Sequence, residues 1–197
     1  MRTTFQSFLV IVAVLSLSAC ASISRPDFAG DVRHADLRAA ALSTKPIGHV
    51  EYGNARNIKI GTNSPLMAAD PLNGRFEIVS IQGVKGRPYA ITVAAICDCL
   101  GFRKWSVVPE AYLLDQHGDT LAQGAKTALT TRYITGTFPE DGEYKVLVLA
   151  DATSEGERVG EIQAWLPGPA AAAGFLSISM RSHPTGVVQV NHQKETP

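Results

Sequence analysis

Two cysteines separated by a single residue, Cys97-Asp98-Cys99, form the most distinctive chemical pattern in this sequence. In an extended strand the Cα atoms of residues i and i+2 lie about 6.6 Å apart, near the upper limit for a disulfide. A disulfide between Cys97 and Cys99 therefore requires the strand to end here, and Gly101 is consistent with that ending. The alternatives are reduced core cysteines and pairing with another chain. Redox catalysis is disfavoured, because no helix N-terminus or basic cluster is evident to stabilise a thiolate.

The segment Asp115-Gln116-His117-Gly118-Asp119 places three possible cation ligands at alternate positions. The same residue types are typical of a tight hairpin turn, in which Gly118 takes a positive φ. A calcium loop normally offers more oxygen ligands, and a zinc site offers more nitrogen or sulfur. We therefore interpret this segment as a turn, and we predict neither a metal nor a cofactor.

Trp165 is the candidate ligand-binding residue, because it shares the polar side of its predicted strand with Glu161 and Gln163. An indole among polar residues can stack on a sugar ring or contact a partner protein. It can equally be covered by the loop that begins at Pro167, and the sequence leaves both possibilities open. The remaining large aromatic residues of the central strands are expected to pack in the core or between strands: Trp105, Tyr112 and Tyr133.

No catalytic motif is visible in the chain. The sequence contains no Gly-x-Ser-x-Gly, no His-Glu-x-x-His, no Cys-x-x-Cys and no glycine loop of the kind that binds phosphate. We therefore predict no catalytic residue and favour a protein that is not an enzyme. The 18 basic residues balance 18 acidic ones, so no electrostatic attraction to nucleic acid is expected.

The N-terminus carries an export signal. Arg2 precedes an apolar run from Phe8 to Leu17, which is too short to span a membrane and is typical of a signal peptide. The run ends in Leu17-Ser18-Ala19-Cys20, which resembles the bacterial lipobox, so Cys20 is predicted to become the lipidated first residue, carrying palmitate-type acyl chains. The alternative is an ordinary signal peptide with a chance cysteine. In an exported protein Cys97 and Cys99 are expected to be oxidised.

The residue after Cys20 predicts the final location. By resemblance to enterobacterial sorting rules, Ala21 in place of an aspartate favours the outer membrane, with the protein held by its lipid and facing the periplasm. We divide the chain into a lipoprotein signal peptide at 1–19, a lipidated tether with a short helix at 20–46, and a β-sandwich domain at 47–197. Asp31 is expected to cap the helix, which runs through 34–42.

The rest of the chain predicts an all-β fold. Hydrophobic residues make up 45% of the 197 residues and charged residues 18%, which indicates a folded body with a sizeable core. About ten short strands, separated by turn signals, predict an antiparallel two-sheet sandwich that is jelly-roll-like; a closed barrel is the alternative. Lys104 to Thr120 is expected to supply a central strand. Residues 61–74 are expected to form a loop with an Asn73-Gly74 hairpin turn.

Three segments together carry a family resemblance. They are Phe76-Glu77-Ile78-Val79-Ser80, Ser106 to Asp115 with its Pro-x-x-x-Leu-Leu-Asp run, and Tyr144-Lys145-Val146-Leu147-Val148-Leu149. Their order is similar to the maltose operon periplasmic protein family and, more loosely, to prepeptidase-type jelly-roll domains of exported enzymes. The resemblance covers roughly residues 35–155. It implies a β-sandwich, an envelope location and a role near polysaccharide uptake.

These features favour a non-catalytic outer-membrane lipoprotein whose β-sandwich is a binding or assembly module. Its expected partners are the membrane, through the lipid anchor, and an envelope protein or a glycan. The alternative is an envelope hydrolase or redox enzyme with a site assembled from distant residues.

Overall fold

A computed structural model describes residues 33–99, 104–165 and 175–193, with side chains given at all of these except 163–165 and 175–176. The protein is an all-β sandwich with one short helix in this part of the chain, as the sequence predicts. The compact unit to which these residues belong begins at Asp31. No helix among the described residues has the length and hydropathy needed to span a membrane.

Fourteen strands and one helix, here α1, lie within the described residues. In chain order they are β1 (Arg33–His34), α1 (Leu37–Ser43), β2 (Ala55–Ile60), β3 (Leu66–Ala69), β4 (Leu72–Gly83), β5 (Pro88–Ile96), β6 (Trp105–Ser106), β7 (Pro109–Leu114), β8 (Thr120–Gln123), β9 (Ala125–Ala128), β10 (Thr131–Thr137), β11 (Gly142–Asp151), β12 (Arg158–Trp165), β13 (Phe175–Ser182) and β14 (Gly186–Gln193).

The strands form two large sheets and one small one. The six-stranded sheet has the order β1-β3-β4-β11-β7-β8, and the five-stranded sheet has the order β2-β14-β5-β10-β9. A third sheet of three strands, β12-β13-β6, was not predicted. Strand β11 lies between β4 and β7, which agrees with the central position that its two apolar faces predict.

The main core lies between the two large sheets. One of the two alternating faces of β11, which includes Tyr144, Val146 and Val148, is buried in it. The facing strands contribute β-branched residues such as Ile91, Val93, Val188 and Val190. Complete burial of a Val or Ile side chain contributes about 1.5–3 kcal/mol to folding, so this layer fixes the register of both sheets.

Helix α1 covers the other face of the six-stranded sheet. Ala40 and Ala41 are fully buried there with Phe76, Ile78 and Leu147. The N-cap is Asp36 and not Asp31, because the Asp36 carboxylate accepts a hydrogen bond of 2.6 Å from the backbone N–H of Ala39. The helix therefore starts later than the sequence predicts.

The predicted loop at 61–74 is partly strand. Leu66 and Met67 are buried in β3, which pairs with the start of β4, and the turn between them is at Asp70-Pro71. The Asn73-Gly74 prediction was wrong, because both residues lie inside β4. Gly74 is needed there for packing, since a Cβ would come within 1.9 Å of the carbonyl oxygen of Ala150. Burial of apolar side chains has outweighed the local turn signal.

The predicted central strand within Lys104 to Thr120 is broken into two. Strand β6 pairs with β13 in the small sheet, and β7 pairs with β11 in the six-stranded sheet. Pro109 begins β7, and a proline cannot donate a ladder hydrogen bond through the middle of a strand. Trp105 and Leu113 therefore belong to different sheets, although their spacing suggests one strand face.

Candidate functional site

A groove of about 840 Å³ opens at one end of the sandwich. Its walls come from the end of β2 and the loop after it (59–64), the end of β5 and the residues after it (96–98), β6 (105–106) and the β13–β14 turn (183–187). The register places these chain ends together, because Gly186 pairs with Ile60 and Val187 pairs with Ile96. We call this feature the Trp105 groove.

Trp105 supplies the aromatic surface of the groove. It is half-buried, and its ring lies 5.3 Å from the ring of His183 at an interplanar angle of 60°. The His183 ring is held in turn by Thr185, whose hydroxyl lies 3.0 Å from Nδ1. A backbone hydrogen bond holds His183 beside β6, since the N–H of His183 donates to the carbonyl of Ser106 at 3.0 Å. The indole therefore packs against the His183 ring at the wall of the groove.

A buried polar cluster reaches the groove from β4. The hydroxyl of Ser64 donates a hydrogen bond to Oε1 of Glu77, and Nη1 of Arg75 donates to the carbonyl of Ser64. The hydroxyl oxygen of Ser64 also accepts from the N–H of Gly61 at 2.9 Å. These bonds fix the 61–64 loop against β4, and they keep the Glu77 carboxyl oriented at the groove wall.

Few charged side chains line the groove, one of them basic and two acidic. Lys59 is exposed and basic, Asp98 is exposed and acidic, and Glu77 is only 9% exposed. Burial raises the pKa of Glu77, and the hydrogen bond from Ser64 opposes that rise. Among the described residues, no basic cluster of the kind that a polyanion requires lines the groove.

The two cysteines of the Cys-x-Cys pattern lie beside this groove. Cys97 and Cys99 form a disulfide with their Cα atoms 5.2 Å apart, and Cys97 lines the groove. The backbone N–H of Asp98 donates to the carbonyl of Trp105 at 2.9 Å, so the disulfide segment is paired with β6. The end of β5 is thereby tied to the strand that carries the indole.

The other candidates from the sequence are not part of this groove as described. Trp165 closes strand β12, paired with Phe175, but its side chain lies outside the described residues, as does all of Cys20. In the 115–119 segment, Oδ1 of Asp115 accepts from the N–H groups of His117 (2.8 Å) and Asp119 (2.9 Å). Gly118 has φ +79°, as a tight turn requires.

Two further observations bear on that turn. Asp119 forms an exposed ion pair with Arg38 at 3.3 Å. Nowhere in ranges 33–99, 104–165 and 175–193 do three or more His, Cys, Asp or Glu side chains gather as metal ligands would. The segment acts as a capped hairpin turn in this structure.

Sequence reasoning missed Trp105, His183 and Glu77 as site residues. Trp105 was expected to pack in the core or between strands, but β6 pairs with β13 in the small sheet, where the indole lines the groove. The signal that could have revealed this is Pro109, which separates β6 from the strand that follows it. His183 and Glu77 had no local signal, because the pairing of distant strands brings them to the groove. Tyr112 is buried as predicted, at 5% exposure.

Comparisons with known proteins do not assign a function. No family model matches the sequence, including any for the maltose operon family, and no curated protein is significantly similar to it. One similar solved structure is the pre-peptidase C-terminal domain of a collagenase from Bacillus anthracis (8% identity, TM-score 0.40, 76% of this chain and 97% of that chain).

Two other solved structures are similar at the same level. One is a surface-associated copper-binding protein of Methylomicrobium album BG8 (11% identity, TM-score 0.37, 77% of this chain and 99% of that chain). The other is a periplasmic inhibitor of g-type lysozyme from Aeromonas hydrophila (9% identity, TM-score 0.29, 75% of this chain and 98% of that chain). At these TM-scores the function has to be argued from the groove itself.

Proposed function

We propose that this protein is a lipid-anchored, non-catalytic binding module of the bacterial outer membrane that faces the periplasm and holds a carbohydrate in the Trp105 groove. The single observation that carries the binding role is the half-buried indole of Trp105, fixed by the His183 ring inside a groove of about 840 Å³. The lipobox-like Leu17-Ser18-Ala19-Cys20 supports the anchor and the compartment.

The chemistry of the groove supports a sugar over other ligands. A pyranose ring offers an apolar face for an aromatic side chain and hydroxyl groups for hydrogen bonds around its edge. The groove supplies both, because Trp105 lines it together with the polar side chains of Asn63, Thr62, Asp98 and Lys59. The rigidity of the site reduces the entropy that binding would otherwise cost.

Tryptophan fluorescence tests this proposal directly, because the chain contains only two tryptophans. In the purified mature protein, Trp165→Phe leaves Trp105 as the only indole, and Trp105→Phe leaves Trp165. Glycans that bind on an array should shift the fluorescence emission of Trp165→Phe and leave the emission of Trp105→Phe unchanged. Trp105→Ala should weaken binding at least tenfold, which is about 1.4 kcal/mol.

Two results would overturn the proposal. If the array stays silent while cross-linking in intact envelopes captures one stoichiometric protein partner, the module has an assembly role. If binding is lost in Trp165→Ala and kept in Trp105→Ala, the sugar site is on the other tryptophan.

An envelope hydrolase is the second candidate, favoured by one observation. Glu77 presents to the groove a carboxyl group whose pKa is raised by burial, as is common for general acids, and Asp98 supplies a second carboxylate. Turnover of a bound glycan that disappears in Glu77→Gln, with binding retained, would establish this candidate and exclude the non-catalytic role.

A further inference from the structure

The two outer faces of the sandwich differ in chemistry. The outer face of the six-stranded sheet is apolar and is covered by α1, with Phe76 and Leu147 beneath it. The outer face of the five-stranded sheet consists of alternate residues of β2, β14, β5 and β10, since their other residues, such as Ile58, Val190 and Val93, point into the core. This second face carries amide, hydroxyl and small side chains, together with the apolar residues Val187 and Ile96 at the end near the groove.

Across these four strands, which are fully described, the only charged residue on that face is Lys59 at one end. The larger polar side chains form what we call the uncharged face: Asn57, Gln189, Asn191, Thr92, Tyr133 and Thr135. About a quarter or more of a soluble protein surface is normally charged. A sheet face of this size without charge is therefore suited to a neutral partner.

The register arranges these side chains in rows across the sheet. Asn57 pairs with Gln189, and Asn191 pairs with Thr92, which pairs with Tyr133. Hydrogen bonds between strands hold the amides: Nε2 of Gln189 donates to Oδ1 of Asn57 at 3.1 Å, and Nε2 of Gln193 donates to Oγ1 of Thr92 at 3.0 Å. The face is thus ordered before a ligand binds.

The uncharged face is continuous with the Trp105 groove. Val187 pairs with both Lys59 and Ile96, and all three residues of this row also line the groove. From Val187 to Gln193 the face runs along β14 for six residues, which is about 20 Å at about 3.3 Å per residue. This length is several times that of one sugar ring.

We propose that the ligand is a linear neutral polysaccharide, which is held at Trp105 in the groove and continues along the uncharged face. This inference rests on the proposed function of the groove. Amide and hydroxyl groups can pair with sugar hydroxyls along the chain, and Tyr133 offers a second ring for stacking. A polyanion would need a basic cluster, which the face lacks, and a protein partner would favour an apolar centre with arginine.

A length series of glucans tests this inference on the purified mature protein. We expect the affinity for neutral linear glucans of two to eight residues, in α-1,4-linked and β-1,4-linked series, to rise at least tenfold from the shortest to the longest member of one series. Tyr133→Ala and Gln189→Ala should remove that rise without changing the affinity for the shortest ligand. Gln82→Ala, which changes an exposed glutamine of the six-stranded sheet, is the matched control and should keep the rise. Trp105→Ala should weaken binding at every length.

The possible failures are distinguishable. Equal affinity at all lengths, with binding lost in Trp105→Ala, overturns the extended site and leaves the proposed groove function intact. No binding of any glucan in either series, together with a glycan array that is silent, overturns both. Self-association that is abolished by Tyr133→Ala in analytical ultracentrifugation would make the uncharged face a contact between two copies, and would overturn the polysaccharide.

Discussion

His192 is a titratable residue buried among aromatic rings. It is only 1% exposed, and its ring lies 5.2 Å from that of Tyr52 and 6.3 Å from that of Phe138. Burial lowers the pKa of His192, the charges of His49 and Arg87 lower it further, and a backbone interaction with Val50 opposes the change. The imidazole is therefore neutral in the folded protein at neutral pH.

This burial predicts a pH dependence of stability. Below about pH 6.5, the ordinary pKa of histidine, the unfolded chain binds a proton that folded His192 resists. The contribution of His192 to the free energy of unfolding is thus complete above that pH and falls as the pH drops toward the lowered pKa. The free energy of unfolding of wild type minus that of His192→Phe, both measured by urea unfolding, should fall from pH 7.5 to pH 5.

The exposed residue His117 provides the control for this experiment. His117→Gln keeps His192 in place, so the loss of stability that His192 causes between pH 7.5 and pH 5 should remain in this variant. A constant difference for His192→Phe would show that the buried imidazole does not resist protonation in the folded protein.

At the scale of strands, the sequence pattern predicted most of the elements. Segments with strong alternation, such as those of β11 and β5, do form strands, because one face of each is buried against the opposite sheet. Residues 120–130, which could be an edge strand or an irregular segment, form the two short edge strands β8 and β9.

The sequence could not predict how β6 and the Trp105 groove are assembled. The groove depends on pairings between strands far apart in the chain, such as β14 with β2 and β13 with β6. Local patterns report which face of a strand is apolar, but they do not report its neighbour in the sheet. For this reason Trp105 was expected to pack in the core or between strands, and the uncharged face around Tyr133 was not recognised.

The disulfide segment links two of these elements, because it follows β5 and pairs with β6. We predict no free thiol in protein isolated from the envelope, since Cys97 and Cys99 are bonded and the proposed anchor would attach lipid to Cys20. Reduction should lower stability by only about 1–2 kcal/mol, because a loop this small restricts the unfolded chain little. Alkylation of denatured protein with and without reduction, followed by mass spectrometry, measures the thiols.

The matched variant Cys97→Ala/Cys99→Ala separates the disulfide from the rest of the fold. Its urea midpoint should agree with that of the reduced wild type. Quantitative alkylation of both sulfurs before reduction would contradict the disulfide and favour reduced core cysteines.

At the scale of the whole molecule, the surface that the structure describes suits the proposed binding role. The groove and the uncharged face are fixed by strand pairing and by short hydrogen-bonded turns, so a ligand would meet a rigid surface. The chain as a whole is electrically neutral, with 18 residues of each sign. Long-range attraction therefore contributes little to binding, and salt should change the affinity for a neutral glucan very little.

The lipid anchor is the remaining prediction, and it falls on residues outside those that the structure describes. If Cys20 is the lipidated first residue of the mature chain, several acyl chains hold the protein on the bilayer, each contributing about 0.8 kcal/mol per buried CH₂.

Cells grown with labelled palmitate should incorporate the label into wild type, and the protein should fractionate with the outer membrane. Cys20→Ser should carry no label and be either soluble or unprocessed. Cys97→Ser is the matched control, because it also removes one of the three cysteines. It should keep the label, because Cys20 is still present. Wild-type protein without label, released from the envelope in soluble form, would make residues 1–19 part of an ordinary signal peptide and Cys20 a chance cysteine.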